Sequence, residues 1–467
     1  YIAALGVARR TVTHRDRLKS AAFTLVVTAA CGLFVLPDAL WLMQVMSIFV
    51  VILLTLSYFI DCAPQPLRPR LWLQLSIFAN LGVLAYFKYC NFFIDSVQAS
   101  LTALGWQVDE FTLKIILPVG LSFHVFQGIS RTFDCYRGVV KPEGSLTTVA
   151  TYLAFFPQLV AGPIERAKHL IPQFESTQTL NWNLFSSGAL LFTWGLFLKL
   201  VIADNVAPIA NLAFANSASL SGGEAVVGIL AFTVQIYCDF CGYSNMARGL
   251  ARCLGFDLMA NFNLPYFART PSEFWRRWHI SLSTWLRDYL YVSLGGNRKG
   301  EGRMYANLMI TMLLGGLWHG AAWTFVVWGA FHGAIQVAYR LLHVDELLER
   351  VRMNSLPGIL LHIACWALTM TLVIIGWVYF RAESFGQASN MLAAALRTDG
   401  YTMANFGTLL TYVVPLALVE SYQRLANRLE VLNFRPFLLR YTATLIVVMA
   451  ILLASAPPGQ SFIYFDF

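Results

Sequence analysis

Apolar residues in this chain gather in long, nearly unbroken runs rather than in the two-residue alternation of half-buried strands. The runs fall at 21–36, 40–60, 71–94, 113–133, 147–164, 185–203, 224–245, 305–317, 321–342, 358–380, 405–423 and 437–455. Most approach the ~20 residues that a helix needs to cross a bilayer. They are also too long and uniformly apolar for the strands of an outer-membrane barrel. The pattern predicts an all-α polytopic membrane protein, without an internal repeat, a low-complexity tract or a soluble domain.

The polar positions between the runs give the orientation. Residues 1–20 carry Arg9, Arg10, Arg15, Arg17 and Lys19, and 61–70 carries Arg68 and Arg70. Segment 95–110 has Asp95, Asp109 and Glu110 with no Lys or Arg, and the next polar stretch returns Arg131, Arg137 and Lys141. Asp204 and Glu224 then precede Arg248 and Arg252. This alternation places the basic loops in the cytoplasm. It requires that 147–164 not cross fully, and Pro157 with Gly162-Pro163 predicts a re-entrant element there. The chain opens on Tyr1 rather than Met, which leaves room for a further helix ahead of it, and 1–20 reads as a basic cytoplasmic segment rather than a signal peptide.

Composition sharpens the class. Of 467 residues, 57% are apolar and only 12% charged, against about 25% charged in soluble domains. That apolar share supplies about ten or more crossings, and it excludes soluble enzymes, disulfide scaffolds and disordered tails. The net charge of +8 is accounted for by cytoplasmic loop bias, so no nucleic-acid partner is expected. Cys238 and Cys241 form a C-x-x-C pair inside an apolar run, with no second pair or nearby His to complete a zinc set. No metal is expected.

Two segments carry candidate chemistry. In 255–303, seven cations (Arg269, Arg276, Arg277, Arg287, Arg298, Lys299 and Arg303) mix with Trp275, Trp278, Trp285, Tyr289 and Tyr291. Trp275, Trp278, Leu282 and Trp285 fall on one helical stripe, predicting an amphipathic helix at the membrane interface. Its cations also suit an anionic cosubstrate, since Arg binds phosphate bidentately. In 305–343, His319 and His332 lie among Gly315, Gly316, Gly320, Gly329 and Gly333 at what hydropathy says is membrane depth. A histidine there is either a hydrogen-bonded packing residue or a functional group facing the protein interior. His279 sits in the basic segment, forty residues before His319. Neutral imidazole can take a proton from an attacking hydroxyl and return it to a leaving thiol. Serine-hydrolase, P-loop, zincin and dinucleotide motifs are absent. The residues alone therefore leave a membrane enzyme or a transporter with a histidine proton relay.

Several stretches together resemble the membrane-bound O-acyltransferase (MBOAT) superfamily, and within it the alginate O-acetyltransferase-like branch. They are FWRRWHISLSTWLRDYLYVSLGGNRKG (274–300), GGLWHGAAWTFVVWGAFHG (315–333), LPVGLSFHVFQGIS (117–130), FFPQLVAGPIER (155–166), QIYCDFCGYSNMARGLARCLGFD (235–257), GWVYFRA (376–382) and FIYFDF (462–467). The resemblance implies one membrane domain over 1–467, with about 11 membrane helices plus re-entrant and interfacial helices around a central tunnel. It implies His319 as the catalytic histidine and His279 as a donor-side assistant. Arg276, Arg277, Arg298 and Lys299 would hold the phosphates of acetyl-CoA, while Trp318, Tyr237, Asp239 and Tyr243 would line the tunnel. His124 stands where the pattern more often has Tyr, and is read as packing. The implied reaction moves acetyl groups from cytoplasmic acetyl-CoA across the bacterial inner membrane to a periplasmic acetyltransferase partner, for an exported polysaccharide that is alginate-like or cellulose-like. Peptidoglycan is the alternative acceptor, and D-alanylation of teichoic acid a more distant one.

Overall fold

The computed structural model describes residues 69–106, 120–141, 146–158, 162–176, 178, 181–351, 353–433, 436–457 and 462–463. The runs predicted at 21–36 and 40–60, and the basic segment 1–20, lie outside the described residues. The described residues are helical with no strand among them. They divide into two compact units, one reaching to Leu180 and including Gly255–Leu258, the other formed by Asn181–Leu254 and Met259–Phe467.

In the first unit, α1 (Pro69–Leu84) passes through a π-turn at Ala85–Tyr89 into α2 (Cys90–Ala103). Together they make one apolar stretch, Arg70–Ala103, long enough to span. α3 (Leu121–Tyr136) starts at Gly120, whose φ of 78° glycine adopts without strain. α4 (Leu146–Leu153) is only eight residues long, too short to cross. Side chains then tie the backbone down: the Tyr152 hydroxyl donates to the Glu165 carbonyl at 2.8 Å and Gln158 Nε2 to the Tyr152 carbonyl at 2.9 Å. Phe155, Phe174 on α5 (Ala167–Glu175) and Phe256 close an aromatic core. His169 bonds Glu165 at 2.8 Å, and this hydrogen bond raises the His169 pKa.

The second unit opens with α6 (Trp182–Phe197), a π-turn at Leu198–Ala203, and α7 (Asp204–Ala215). The 32-residue α8 (Gly222–Cys253) follows, started by a capping box between Ser221 and Glu224. α6 and α8 touch backbone to backbone: a Cβ on Gly195 would stand 2.5 Å from the Gly242 carbonyl, and one on Gly249 2.6 Å from the Gly188 carbonyl. Small residues permit such close crossings in membranes, where packing rather than hydrophobicity holds helices together.

Two short helices come next, α9 (Pro271–Arg277) and α10 (Ile280–Trp285). The single stripe predicted across Trp275–Trp285 is corrected here, because the helix breaks at His279, whose φ of 42° is left-handed. Trp278, Leu282 and Trp285 of the stripe are buried. α11 (Glu301–His319) and α12 (Trp323–Leu341) then pack as an antiparallel pair across Gly316 and Gly329. α13 (Val344–Arg350), α14 (Leu356–Arg381), α15 (Phe385–Ala395), α16 (Met403–Ala426) and α17 (Phe437–Ala454) complete the unit. Among the described residues, Trp182–Ala215, Gly222–Cys253, Leu356–Arg381 and Phe437–Ala454 are, with Arg70–Ala103, long and apolar enough to span. The exposed Leu438, Leu439, Leu445, Ile446, Leu452 and Leu453 of α17 suit a lipid-facing surface.

Candidate active site

The two histidines singled out by the sequence meet inside the second unit. Their ring centroids are 6.4 Å apart, although forty residues separate them. Both are buried, His279 fully and His319 with 5% exposure.

His279 is positioned by hydrogen bonds. Asn261 Oδ1 accepts from the Ser281 amide at 3.2 Å and the Ser281 hydroxyl at 2.9 Å, and it lies 3.1 Å from His279 Nδ1. Asn261 Nδ2 donates to Ser244 Oγ at 3.1 Å, which fixes which end of the amide faces the imidazole. An amide oxygen can only accept, so Nδ1 carries the ring proton and Nε2 the lone pair. The Asn261 carbonyl also takes the Ile280 amide at 2.9 Å. These bonds hold the left-handed turn that a non-glycine residue otherwise avoids. Burial lowers the His279 pKa to about 3, keeping the ring neutral.

His319 ends α11 and is positioned by rings. Trp318, Trp328 and Phe380 stand with their centroids 5.1–5.2 Å from its own, each roughly edge-on. Trp318 is buried and also edges onto His279 at 6.0 Å. The turn after His319 needs Gly320, because a Cβ there would run into the Phe325 ring. His332 lies beyond Trp328, at 4.7 Å, with Trp275 at 5.2 Å. Neither nitrogen of this buried ring has a hydrogen-bond partner among the described residues.

A cavity of about 580 Å³ lies in the same unit, lined by Trp194, Tyr237, Asn245, Arg248, Glu420 and Arg428 among others. This size falls within the usual range for small-molecule sites. At its wall Tyr237 donates to Glu420 Oε1 at 2.5 Å. Phe262, also in the wall, edges onto Phe240 at 5.1 Å, and Phe240 onto His279 at 4.6 Å. Phe262 and then Phe240 thus stand between the cavity and His279. Glu420 and Arg428, 183 and 191 residues after Tyr237, carried no local signal in the sequence; only the intramembrane carboxylate in the run 405–423 pointed to Glu420.

The other predicted residues fall in distinct places. Tyr237 lines this cavity. Asp239 pairs with Lys199 at 2.8 Å, so the cation that braces this intramembrane carboxylate comes from the π-turn after α6. Tyr243 stacks on Phe462 at 4.6 Å. Arg276, Arg298 and Lys299 are exposed. Arg277 is half-buried and engages Glu273 at 2.8 Å and the Asn263 carbonyl at 3.0 Å. Burial pushes the Glu273 pKa up, but the Arg269 amide and the Arg277 guanidinium outweigh it and hold it below its ordinary value. Among the described residues, no three His, Cys, Asp or Glu side chains come together as a metal site.

The described residues thus make a helical, multi-pass membrane protein with two neighbouring imidazoles buried in its interior. A family model described as MBOAT, membrane-bound O-acyltransferase family, matches residues 37–344. The chain belongs to the membrane-bound O-acyltransferase family. It is 46% identical over 336 residues to the probable alginate O-acetylase AlgI of Azotobacter vinelandii, covering 72% of this chain and 64% of the relative. It is 45% identical over 337 residues to the Pseudomonas aeruginosa protein of the same description, covering 72% and 61%. It is 35% identical over 380 residues to the peptidoglycan O-acetyltransferase of Helicobacter pylori, covering 75% and 70%. The chain thus spans somewhat under two thirds of the length of the two alginate relatives.

Proposed function

We propose that the protein is a membrane O-acetyltransferase of the bacterial inner membrane. It takes acetyl groups from cytoplasmic acetyl-CoA and passes them across the membrane, where a periplasmic acetyltransferase partner completes O-acetylation of an exported, alginate-like polysaccharide. The observation that carries this reading is the imidazole pair, two neutral-capable bases 6.4 Å apart in a buried aromatic cage. The similarity to alginate O-acetylases supports the acceptor class.

In this reading His319 removes the proton from the attacking hydroxyl as that oxygen bonds the acetyl carbonyl carbon. The C–S bond then breaks, and the proton goes to the leaving thiolate of CoA. His279, with its lone pair on Nε2, assists on the donor side. Burial among rings excludes water, which would otherwise hydrolyse the thioester. The cavity supplies a donor route. Arg248 lies eleven residues from Tyr237 on α8, about 16 Å along the axis at 1.5 Å per residue. Arg248 and Arg428 mark a cationic end for phosphates, and Tyr237 and Glu420 a polar inner end. The exposed Arg276, Arg298 and Lys299 would attract CoA from solution, with Arg277 held by Glu273.

The test is incubation of purified protein with radiolabelled acetyl-CoA. CoA release or acetyl transfer that His319→Ala abolishes supports the reading; full activity in a normally folded His319→Ala protein contradicts it. Peptidoglycan is the second reading, favoured by the 35% identity to the Helicobacter relative. Mass analysis of exported polymer and of cell wall, with and without the gene, separates the two.

A further inference from the structure

We propose that Lys199 and Asp239 clamp residues 455–457 and 462–463 against α8, and that this seating positions His279 through Phe240. The inference rests on the acyl-transfer reading above; the two charged groups are positioning residues and touch no reacting atom.

The clamp begins at the π-turn Leu198–Ala203. A π-turn shifts the helical hydrogen-bond register and makes backbone groups available to outside partners. Here the Leu200 carbonyl accepts the Ala456 amide at 3.1 Å. Asn205 Nδ2, just past the turn, donates to the Val201 and Ala454 carbonyls at 2.9 Å each. The chain leaving α17 is therefore tied down where it starts.

It is tied again further on. The Ile463 amide donates to Asp239 Oδ2 at 2.8 Å. The same carboxylate binds Lys199 through Oδ1 at 2.8 Å, and Lys199 reaches Asp204 at 2.7 Å. One aspartate thus links a half-buried ammonium to a backbone amide 224 residues away. Phe462 and Ile463 are both buried. Phe462 stacks on Tyr243 and stands 6.2 Å from Phe240. Phe240, the residue after Asp239, meets the His279 ring edge-on at 4.6 Å. The path runs from Lys199 to Asp239, Ile463, Phe462, Phe240 and His279.

Holding α6 to α8 does not account for these charges. Those helices already pack through Gly188, Gly195, Gly242 and Gly249, and well-packed apolar residues hold helices at least as well as a buried ion pair. What Asp239 adds is a directed acceptor for the Ile463 amide, beyond the end of α17.

The full chain in detergent gives two independent readouts: hydrogen exchange of peptides covering 455–463, and the kinetics of CoA release from acetyl-CoA. In Asp239→Ala, exchange of these peptides should rise about tenfold as the segment opens locally. Its kcat should fall about a hundredfold with KM for acetyl-CoA little changed, as misplacement of a reacting group does. Asp239→Asn retains an oxygen acceptor for the Ile463 amide but turns its NH2 toward the Lys199 ammonium, and should give exchange and kcat between those of the wild type and Asp239→Ala. Phe462→Ala leaves the ion cluster intact and should lower kcat about tenfold with unaltered exchange in α6 and α8. Unchanged exchange of 455–463 in Asp239→Ala overturns the clamp, as does an unchanged kcat despite faster exchange. Should Asp239→Ala fail to fold, Phe462→Ala decides, and wild-type kcat there overturns the proposal. A wild-type chain that never turns over acetyl-CoA refutes the acyl-transfer reading instead, while the exchange measurement still decides whether Asp239 holds the segment.

Discussion

Phe240 stands between two buried polar regions that solve the same problem in opposite ways. On one side the Lys199 ammonium bridges the Asp204 and Asp239 carboxylates at 2.7–2.8 Å. On the other, His279 and His319 sit among Trp318, Trp328 and Phe380, with ring edges rather than opposite charges around them. An ion cluster in a low-dielectric interior is rigid, because moving any member exposes the rest uncompensated. Neutral imidazoles in an aromatic cage keep their proton chemistry. The first arrangement builds; the second, in the proposed reading, carries the reaction.

That contrast breaks most sharply at Lys199. Lys199→Ala leaves two carboxylates facing each other without their cation, and we expect a loss of about 3–5 kcal/mol, read by thermal unfolding in detergent. A smaller effect tests the close crossing that holds both regions. Gly195→Ala forces a Cβ against the Gly242 carbonyl and the Met246 amide, costing about 1–3 kcal/mol. Asn261→Ala sharpens the imidazole side. It removes the acceptor of the Ser281 amide and hydroxyl and of His279 Nδ1, for about 1–3 kcal/mol. Activity should fall further than that stability loss explains, because the left-handed turn at His279 relaxes.

The smallest expected effect is at the partly exposed Arg277–Glu273 pair, about 0.5 kcal/mol. Its sign with pH is fixed. Glu273 has a folded-state pKa below its unfolded one, so its contribution is present above the ordinary carboxylate range and is lost as pH falls through the folded value. Arg277→Gln should therefore cost stability at neutral pH, and cost less well below the carboxylate range, where only the bond to the Asn263 carbonyl remains to be lost. Melts at the two pH values check this.

The contrast also separates what could be read from the sequence. Helix positions followed from apolar runs: those at 224–245 and 358–380 appear as Gly222–Cys253 and Leu356–Arg381. Five glycines between 315 and 333 stood out, and the structure puts Gly316 and Gly329 of these where α11 and α12 touch. The run 185–203 instead continues through a π-turn to Ala215, because a one-residue shift in hydrogen-bond register leaves no mark on hydropathy. The same blindness hid the break at His279, since Trp275, Trp278 and Trp285 keep helical spacing while Asn261, eighteen residues upstream, captures the turn. Asp239 was visible as an intramembrane acid, but its cation lies forty residues away in sequence and on another helix. Single-residue chemistry was legible; the pairings depend on how distant helices cross.

The most direct measurement is the single-turnover rate of acetyl transfer from acetyl-CoA in the wild-type and His319→Ala proteins, with folding checked by the thermal melt. The account predicts a rate about a thousandfold lower in His319→Ala, as expected when a general base is removed, with an unchanged melt. An equal rate in the two proteins would contradict it.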